Sequence, residues 1–108
     1  MMTTIPIATC KGVELLCLQN IIRIQSISNY SKIYFADKSH PLTVAKVLHW
    51  FEDNLPGEMF LRSHRTHLVN KGHIISVGLT SKTMLLSNGE QIGISKRRKQ
   101  WVMQRLCG

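Results

Sequence analysis

The densest group of hydrogen-bond donors in this chain lies in residues 60–73, FLRSHRTHLVNKGH. Arginine, histidine, threonine, asparagine and lysine side chains are held there by a few apolar residues, and none of the side chains is a carboxylate. Such a set of donors suits a surface that faces an acceptor-rich polyanion better than one that faces a metal ion or an amine. The segment therefore predicts a nucleic-acid interface. The alternative is a solvated polar strand and turn in an ordinary basic protein.

The charge of the chain favours the nucleic-acid interpretation because it is concentrated in one half. The formal net charge is +8, from 14 lysines and arginines against 6 acidic residues. Residues 1–58 contain five cations and five anions, whereas residues 59–108 contain nine cations and a single anion, Glu90. A basic excess gathered in one part of a small domain is the electrostatic footprint of a nucleic-acid binder.

A second basic cluster lies in residues 95–106, SKRRKQWVMQRL, where Ser95 can cap a helix. The apolar side of this helix comprises Trp101, Val102 and Leu106. Its first turn contains Lys96, Arg97, Arg98 and Lys99. Cations at this end of a helix cost about 0.3–1 kcal/mol each, and a docked phosphate reverses that cost. Side chains that point into water are the alternative, but the basic surroundings favour phosphate contact.

Most of the elements that must position these side chains have the pattern of short strands. Six segments of four to seven residues are mostly rich in β-branched or aromatic residues: 13–18, 21–27, 32–35, 73–78, 83–87 and 91–94. Between two of them, Ser87-Asn88-Gly89 predicts a hairpin turn because Asn-Gly tolerates positive φ. The fold class predicted is mainly β, with antiparallel strands.

One segment in the middle of the chain has the period of a helix instead. In residues 43–57, TVAKVLHWFEDNLPG, apolar side chains recur at helical spacing. Thr43 is the predicted N-cap, and Pro56-Gly57 would end the helix. We interpret it as a short amphipathic helix that packs on the core and has no direct binding role. Together with the helix predicted after Ser95, it completes the predicted elements.

The length of 108 residues corresponds to one domain with one core. Residues 11–108 are predicted to form this domain, and residues 1–10 are interpreted as a leader that can be disordered. No run of about eighteen apolar residues occurs, and the amino terminus lacks the pattern of a signal peptide. The predicted location is the cytoplasm, without membrane contact. Three cysteines without metal-type spacing do not predict a disulfide framework, although redox sensing through Cys10 or Cys107 stays open.

A zinc site is the sharpest rival, since His64, His67 and His73 lie within ten residues. If residues 62–69 form one extended strand, His64 and His67 point to opposite faces and cannot share an ion. We therefore expect no metal and no cofactor. The chain also lacks a nucleophile elbow and paired carboxylates, so no enzymatic activity is expected.

RNA or single-strand binding is the main alternative to duplex DNA, because a basic β domain can bind single strands. That mode needs several exposed aromatic platforms. The chain has seven aromatic residues, and four are assigned to the core: Trp50, Phe51, Phe60 and Trp101. A basic protein-interaction or membrane-surface module is a third alternative. It is disfavoured because no basic amphipathic helix with exposed large apolar residues is evident.

A motif written F-x-R-x-H-(R/N)-(S/T)-x-x-V-N is met in order by Phe60, Arg62, His64, Arg65, Thr66, Val69 and Asn70. With the flanking segments 24–30, 86–89 and 94–96 in register, residues 11–106 resemble the LytTR family of bacterial DNA-binding domains. The resemblance implies an elongated, mainly antiparallel β fold with a short helix, which inserts loops into successive major grooves. It also implies a transcription factor, commonly the output half of a two-component response regulator that binds paired direct repeats and bends the DNA.

The resemblance further implies partners that act with the domain. Direct repeats require a second copy on the same duplex of double-stranded DNA. Nothing in this chain resembles a phosphoacceptor receiver domain. The input would therefore come from a receiver domain or a sensor partner outside this chain.

Three places would carry the DNA contacts when the family pattern is transferred. They comprise Asn29, Tyr30, Ser31 and Lys32 in the loop after the second predicted strand, Arg62, His64, Arg65 and Thr66 in the central motif, and Lys96, Arg97 and Arg98 after Ser95. Arg65 and one of Lys96 or Arg97 are predicted to read base edges, since Arg and Lys pair with guanine. Lysine at position 96, where the family commonly has arginine, makes bidentate reading there less expected.

The other members of the predicted site have different expected roles. Phosphate contacts, which set register without reading sequence, are expected from Lys32, Arg62, His64, Thr66 and Arg98. Tyr30 can stack on or bond to DNA, or pack at a strand edge. Phe60 and Val69 are predicted to be core, and Asn70 to bond local backbone in a turn.

Overall fold

The computed structural model describes residues 3–78 and 80–107, and within these ranges the chain is mostly antiparallel β structure with two α-helices. In chain order the elements are β1 (Thr4–Thr9), β2 (Gly12–Cys17), β3 (Ile21–Ile27), β4 (Tyr30–Phe35), β5 (Leu42–Val44), α1 (Leu48–Asn54), β6 (Phe60–His64), β7 (His67–Asn70), β8 (Ile74–Val77), β9 (Thr83–Leu86), β10 (Gln91–Gly93) and α2 (Lys99–Cys107). The molecule measures 43 × 32 × 24 Å along its principal axes. The predicted fold class, mainly β with a short helix in the middle and another at the carboxyl end, is confirmed.

A five-stranded sheet in the order β5-β4-β3-β7-β6 forms the centre of the molecule. Its strand β4 shows the alternation of a strand with one buried face, because Ser31, Ile33 and Phe35 are buried while the residues between them are half-buried. Strand β3 occupies the middle position and begins with four buried residues, Ile21 to Ile24. Such a run of buried residues is typical of a central strand whose sheet is covered on both faces.

Two hydrophobic clusters cover the two faces of this sheet. Ile24 and Leu68 belong to the first, together with Phe51 from α1. Ile22 and Val69 belong to the second, together with residues of β9, β10 and α2. Consecutive residues of β7 thus enter opposite clusters, as the two-residue period of a strand requires. The prediction that Phe60 and Val69 are core is confirmed by their exposures of 5% and 0%.

The predicted leader contains a strand. β1 pairs with β2 along its whole length, from Thr4 opposite Cys17 to Thr9 opposite Gly12, and Ile7 is fully buried. The structure thus places residues 4–9 of the predicted leader in a strand, while residues 1 and 2 lie outside the described residues. The partner strand β2 follows β1 closely in sequence. Strand β1 was not predicted because it contains Pro6 and has only a short apolar pattern.

The middle helix is shorter than predicted. It begins at Leu48 instead of near Thr43, because Leu42–Val44 pair with β4 as an edge strand, with Val44 opposite Ser31. Val47, with an extended backbone, occupies the N-cap position. Burial of Val44 satisfies a strand as well as a helix, so the apolar period alone did not distinguish the two structures.

The remaining predicted strands agree with the structure to within a residue or two. β3 matches the predicted segment 21–27 at both ends, and β4 begins two residues earlier than predicted. The turn at Ser87-Asn88-Gly89 is confirmed, with Gly89 at φ 88°. In the part of the chain that is described, neither helix is long and apolar enough to cross a membrane.

Candidate nucleic-acid interface

Two short turns lie at one end of the five-stranded sheet. One is Ser28-Asn29 between β3 and β4, and the other is Arg65-Thr66 between β6 and β7. Because β3 pairs antiparallel with β7, the end of β3 lies beside the start of β7, and the amide of Ser26 donates to the carbonyl of Thr66 at 2.9 Å. The first two predicted contact places are therefore neighbours in space.

The central motif is a hairpin and not one extended strand. His64 at the end of β6 pairs with His67 at the start of β7, and their ring centroids are 6.1 Å apart. The hydroxyl oxygen of Thr66 lies 2.9 Å from Nδ1 of His64 and 3.0 Å from Nδ1 of His67. The expectation that these histidines point to opposite faces is wrong, since the chain reverses at Arg65-Thr66 and strand spacing does not apply across a turn.

His73, the third histidine of the zinc hypothesis, lies elsewhere. Its ring nitrogens are 2.7 Å from the hydroxyl oxygen of Ser87 and 2.7 Å from the carbonyl oxygen of Gln19. Within residues 3–78 and 80–107, no group of three or more His, Cys, Asp or Glu residues is arranged to hold a metal ion. The structure therefore separates His73 from the other two histidines.

The hydrogen bonds around the hairpin orient the two imidazoles. The amide of Thr66 donates to Nδ1 of His64 at 3.2 Å, so a neutral His64 carries its proton on Nε2. Burial, followed by the charge of Arg23 and by that of His64 when it is protonated, lowers the pKa of His67 from 6.5 to about 4. His67 is therefore neutral near pH 7 and acts as a fixed hydrogen-bonding group beside the turn.

The third contact place docks onto the same hairpin. The amide of Ser95 donates to the carbonyl of Ser63 at 3.0 Å, and Nη1 of Arg98 donates to the carbonyl of Arg62 at 3.2 Å. Ser95 also caps its own turn, because its hydroxyl oxygen accepts from the amide of Arg98 at 3.2 Å. These bonds attach the basic segment to β6.

The helix predicted to start after Ser95 begins four residues later, at Lys99. Lys96, Arg97 and Arg98 form a turn in front of α2, not its first helical turn. The basic cluster therefore lies directly before the positive end of the helix dipole, where a docked anion is favoured. The predicted Ser95 cap is present, but it caps this turn.

A basic cleft results where these pieces meet. Its volume is about 370 Å³, and its lining comprises His64, Arg65, Ser95, Arg97 and Arg98. Arg65 and Arg97 are exposed, as is Lys96, which precedes Arg97 in sequence. No carboxylate is among the lining residues, so the cleft presents guanidinium and imidazole donors to whatever enters it. Two predicted contact places, more than twenty residues apart in sequence, thus form one site.

Two predicted contact residues point into the protein. Ser31 is fully buried, and its hydroxyl donates to the carbonyl of Lys46 at 2.7 Å. The side chain of Arg62 is 18% exposed, forms an ion pair with Glu52 and donates to the carbonyl of Arg65. The structure therefore does not bring Ser31 to the surface, and it gives the guanidinium of Arg62 two partners within the protein.

The other residues of the β3–β4 hairpin remain accessible. Asn29 is exposed in the turn, and Tyr30 and Lys32 are half-buried on the outer face of β4. On the same face, the guanidinium of Arg23 lies 3.8 Å from the ring centroid of Tyr34. This face offers the cation Lys32 and the tyrosine rings beside the turn.

The single anion of the basic half does not weaken the cleft. Glu90 forms two hydrogen bonds of 3.0 Å with the buried guanidinium of Arg23, and these bonds hold the pKa of the carboxyl below its ordinary value. A cation from the first half of the chain therefore compensates Glu90. The charges of the two halves of the sequence are therefore less separated in space than they are along the chain.

Sequence reasoning missed two residues and misplaced a third. His67 entered only as a zinc ligand, and Glu52 was assigned no role because its contact with β6 depends on how α1 packs. Trp101, predicted to be core, is 39% exposed, with the guanidinium carbons of Arg98 and Arg105 at 6.0 and 5.5 Å from its ring centroid. The apolar pattern of α2 assigned Trp101 and Val102 to the same buried side of the helix. In the structure only Val102 is buried.

The fold and the cleft define a β domain that presents loops and basic side chains to a polyanion. The family model of the LytTr DNA-binding domain matches residues 11–106. The chain therefore belongs to the LytTr family of DNA-binding domains, as the motif predicted. β1 lies outside the matched residues.

Among solved structures, a similar one is described as the LytTr DNA-binding domain of a methyl-accepting/DNA response regulator from Bacillus cereus. The TM-score is 0.78 at 24% sequence identity, and the alignment covers 96% of each chain. At this identity the likeness concerns the fold. No curated protein matches the chain.

Proposed function

We propose that this DNA-binding domain recognises specific sequences in double-stranded DNA and regulates transcription by inserting its turns into the major groove. The observation that carries the proposal is the carboxylate-free cleft formed by His64, Arg65, Ser95, Arg97 and Arg98. Rigid strands support the turns that form it, and rigid support is what base reading needs. Membership of the LytTr family supports DNA as the polyanion.

Exposure divides the proposed roles among the side chains. Arg65 and Arg97 are exposed at the cleft and suit bidentate contacts with guanine, with Lys96 as the alternative to Arg97. Arg98, which is already bonded to the carbonyl of Arg62, retains donors for a phosphate. Proposed phosphate contacts also come from Lys32, His64 and Thr66, and Asn29 and Tyr30 approach the same duplex from the β3–β4 turn.

Single-strand nucleic acid is the second candidate, and the exposure of Trp101 is the observation in its favour. Binding of single strands uses several aromatic platforms along a basic groove. Trp101 lies between two arginines, but Trp50 packs against the first hydrophobic cluster, and Phe51 and Phe60 are buried in it. Duplex DNA therefore remains the better supported ligand.

The regulatory setting belongs to the proposal as well. The Bacillus cereus domain is described as part of a response regulator, which is compatible with a two-component system for this chain. A receiver domain or sensor partner would supply the input. A second copy would bind the neighbouring half of a direct repeat on the same duplex.

Selection of binders from a random pool of duplex DNA tests the proposal. We expect an enriched sequence, repeated in tandem, that is bound on the order of 10³-fold or more tightly than a scrambled duplex. The affinities of the two duplexes would be measured across a salt series. Steep salt dependence without any enriched sequence would contradict sequence-specific recognition, and preferential binding of single strands would favour the second candidate.

A further inference from the structure

An ion pair joins helix α1 to the base of the β6–β7 hairpin. A carboxylate oxygen of Glu52 accepts a hydrogen bond from Nη1 of Arg62, and the two side chains are 32% and 18% exposed. When one partner of such a shielded pair is removed, the other is left as a poorly solvated charge and must find a new position. Glu52 therefore determines where the guanidinium of Arg62 lies.

The same guanidinium supports the turn that carries Arg65. Nη2 of Arg62 donates a hydrogen bond to the carbonyl oxygen of Arg65, so the side chain reaches the backbone of the turn from the inside. The carbonyl oxygen of Arg62 accepts from Nη1 of Arg98. Residue 62 is thus bonded at once to α1, to the turn and to the basic segment in front of α2.

We infer that Glu52 is a positioning residue for sequence recognition, an inference that rests on the proposed function. Electrostatics alone predicts that removing an anion improves binding to a polyanion. The contacts of Glu52 predict a loss of selectivity instead, because Arg62 without its partner no longer fixes the carbonyl of Arg65. Base-edge hydrogen bonds depend on geometry, whereas non-specific attraction depends mainly on charge.

Two alanine substitutions on α1 separate these expectations. Glu52→Ala and Asp53→Ala each remove one negative charge from the same helix, and Asp53 is 62% exposed and contacts His49 instead of the hairpin. The measured quantity is the ratio of affinities for the selected and the scrambled duplex. We expect Glu52→Ala to lower this ratio about tenfold, the loss of one well-placed base contact, and Asp53→Ala to leave it unchanged. Equal ratios in the two variants would overturn the inference.

A double substitution tests whether Glu52 acts through Arg62. In a background of Arg62→Gln, the further change Glu52→Ala should not reduce the selectivity ratio again. A second reduction of similar size would overturn the proposed route, because it would show that Glu52 acts independently of Arg62.

A measurement without DNA separates this inference from the proposed function. In amide NMR spectra of the free protein, Glu52→Ala should shift or broaden the signals of Arg65, Thr66 and Arg98, and Asp53→Ala should not. Unchanged signals would overturn the inference. Changed signals in a protein that prefers no DNA sequence would reject the proposed function but leave the support of the turn established. If Glu52→Ala does not fold, Glu52→Gln keeps the side-chain shape and removes the charge.

Discussion

Arg65 and Arg97 are exposed at the basic cleft, whereas Arg62 and Ser31 use their hydrogen bonds inside the fold. All four have donor side chains, and the sequence motif does not distinguish between them. The distinction arises from the partner of each donor, which is Glu52 for Arg62 and the carbonyl of Lys46 for Ser31. Residues proposed to contact DNA and residues whose donors are used inside the fold are therefore adjacent along the chain.

Replacing Arg65 by alanine should relax sequence preference while much of the non-specific binding remains. A bidentate contact with a base discriminates by roughly 1–3 kcal/mol, and that contribution is lost with the guanidinium. Affinities for selected and scrambled duplexes measure the effect. Lys38→Ala, which removes a cation beyond the other end of β4, is the matched control and should weaken both duplexes equally or not at all. Equal weakening of both duplexes by Arg65→Ala would contradict base reading by Arg65.

Asn70 has a structural role within the family motif, as predicted. It is 3% exposed, accepts from the amide of Gly72 at 2.9 Å, and donates to the carbonyls of Leu18 and Ile21 at 3.1 and 2.8 Å. The local bond was predicted from the sequence, but the two bonds that reach about fifty residues back were not. They connect the end of β7 to the segment that leads into β3.

Asn70→Ala should lower the free energy of unfolding by about 2–4 kcal/mol, because three hydrogen bonds of a buried side chain are lost. Urea denaturation measures this change. Asn54→Ala serves as a control, since Asn54 is exposed and donates to the carbonyl of Trp50 within α1. A loss no larger than that of Asn54→Ala would show that these three bonds contribute little.

At the scale of elements, the interface depends on where strands end. Antiparallel pairing places the turns after β3 and β6 at one end of the sheet, and one backbone bond and the side chain of Arg98 attach the Ser95–Arg98 turn to β6. The two helices support these turns. Helix α1 holds Arg62 through Glu52, and α2 follows the basic turn and buries Val102. The proposed recognition elements are therefore loops on strands and not a helix.

Replacing Arg98 by alanine should weaken binding to every duplex and reduce the slope of log affinity against log salt by about one. The reason is that Arg98 is proposed to contact a phosphate, which carries no sequence information. Binding at several salt concentrations measures the slope. Arg105→Ala is the control, because Arg105 lies one turn beyond Trp101 on α2, donates to the carbonyl of Gly57 and does not line the cleft. An unchanged slope in Arg98→Ala would remove Arg98 from the phosphate contacts.

The molecule as a whole is held together by two clusters that share one sheet and by an ion pair between sheets. Arg23 of β3 and Glu90, which precedes β10, form that pair, and Arg23 also donates to Gln25 at 2.9 Å. His67 lies close enough to Arg23 that the guanidinium helps to lower the pKa of its imidazole. The ion pair between the sheets and the β6–β7 hairpin are therefore linked through the charge of Arg23.

Stability should fall as the pH is lowered from about 6.5 to about 4. Over this range the unfolded chain protonates His67, whose ordinary pKa is 6.5, while the folded chain does not because its pKa is about 4. The unfolded state binds more protons, so the free energy of unfolding falls as the pH falls, by less than the roughly 3 kcal/mol that the full shift would give, because solvent screens the partly exposed imidazole. Glu90, whose folded pKa is lowered, adds a loss of stability below its ordinary value of 4.5.

His67→Gln should flatten the stability profile between pH 6.5 and pH 4, and urea denaturation at a series of pH values measures it. His40→Gln is the control, since His40 is exposed in the segment before β5 and should leave the slope as it is. The same slope in His67→Gln and the unaltered protein would contradict a lowered pKa at His67.

The features that depend on neighbouring residues were predictable from the sequence. Strand β3 was predicted at both ends, Asn88-Gly89 predicted its turn, and Asn70 predicted its bond to the following backbone. The donor-rich motif and the excess of cations indicated the interface before any geometry was known. These signals are local because side-chain period, turn chemistry and charge are read within a few residues.

Which side chains face the cleft depends on contacts between elements that are distant in sequence. The pairing of His64 with His67, the inward position of Arg62 and the exposure of Trp101 each depend on packing or pairing that local patterns do not specify. The strands β1 and β5 likewise became visible through their partners β2 and β4. A buried polar side chain needs a hydrogen-bond partner, and in this fold that partner often belongs to an element that is distant in sequence.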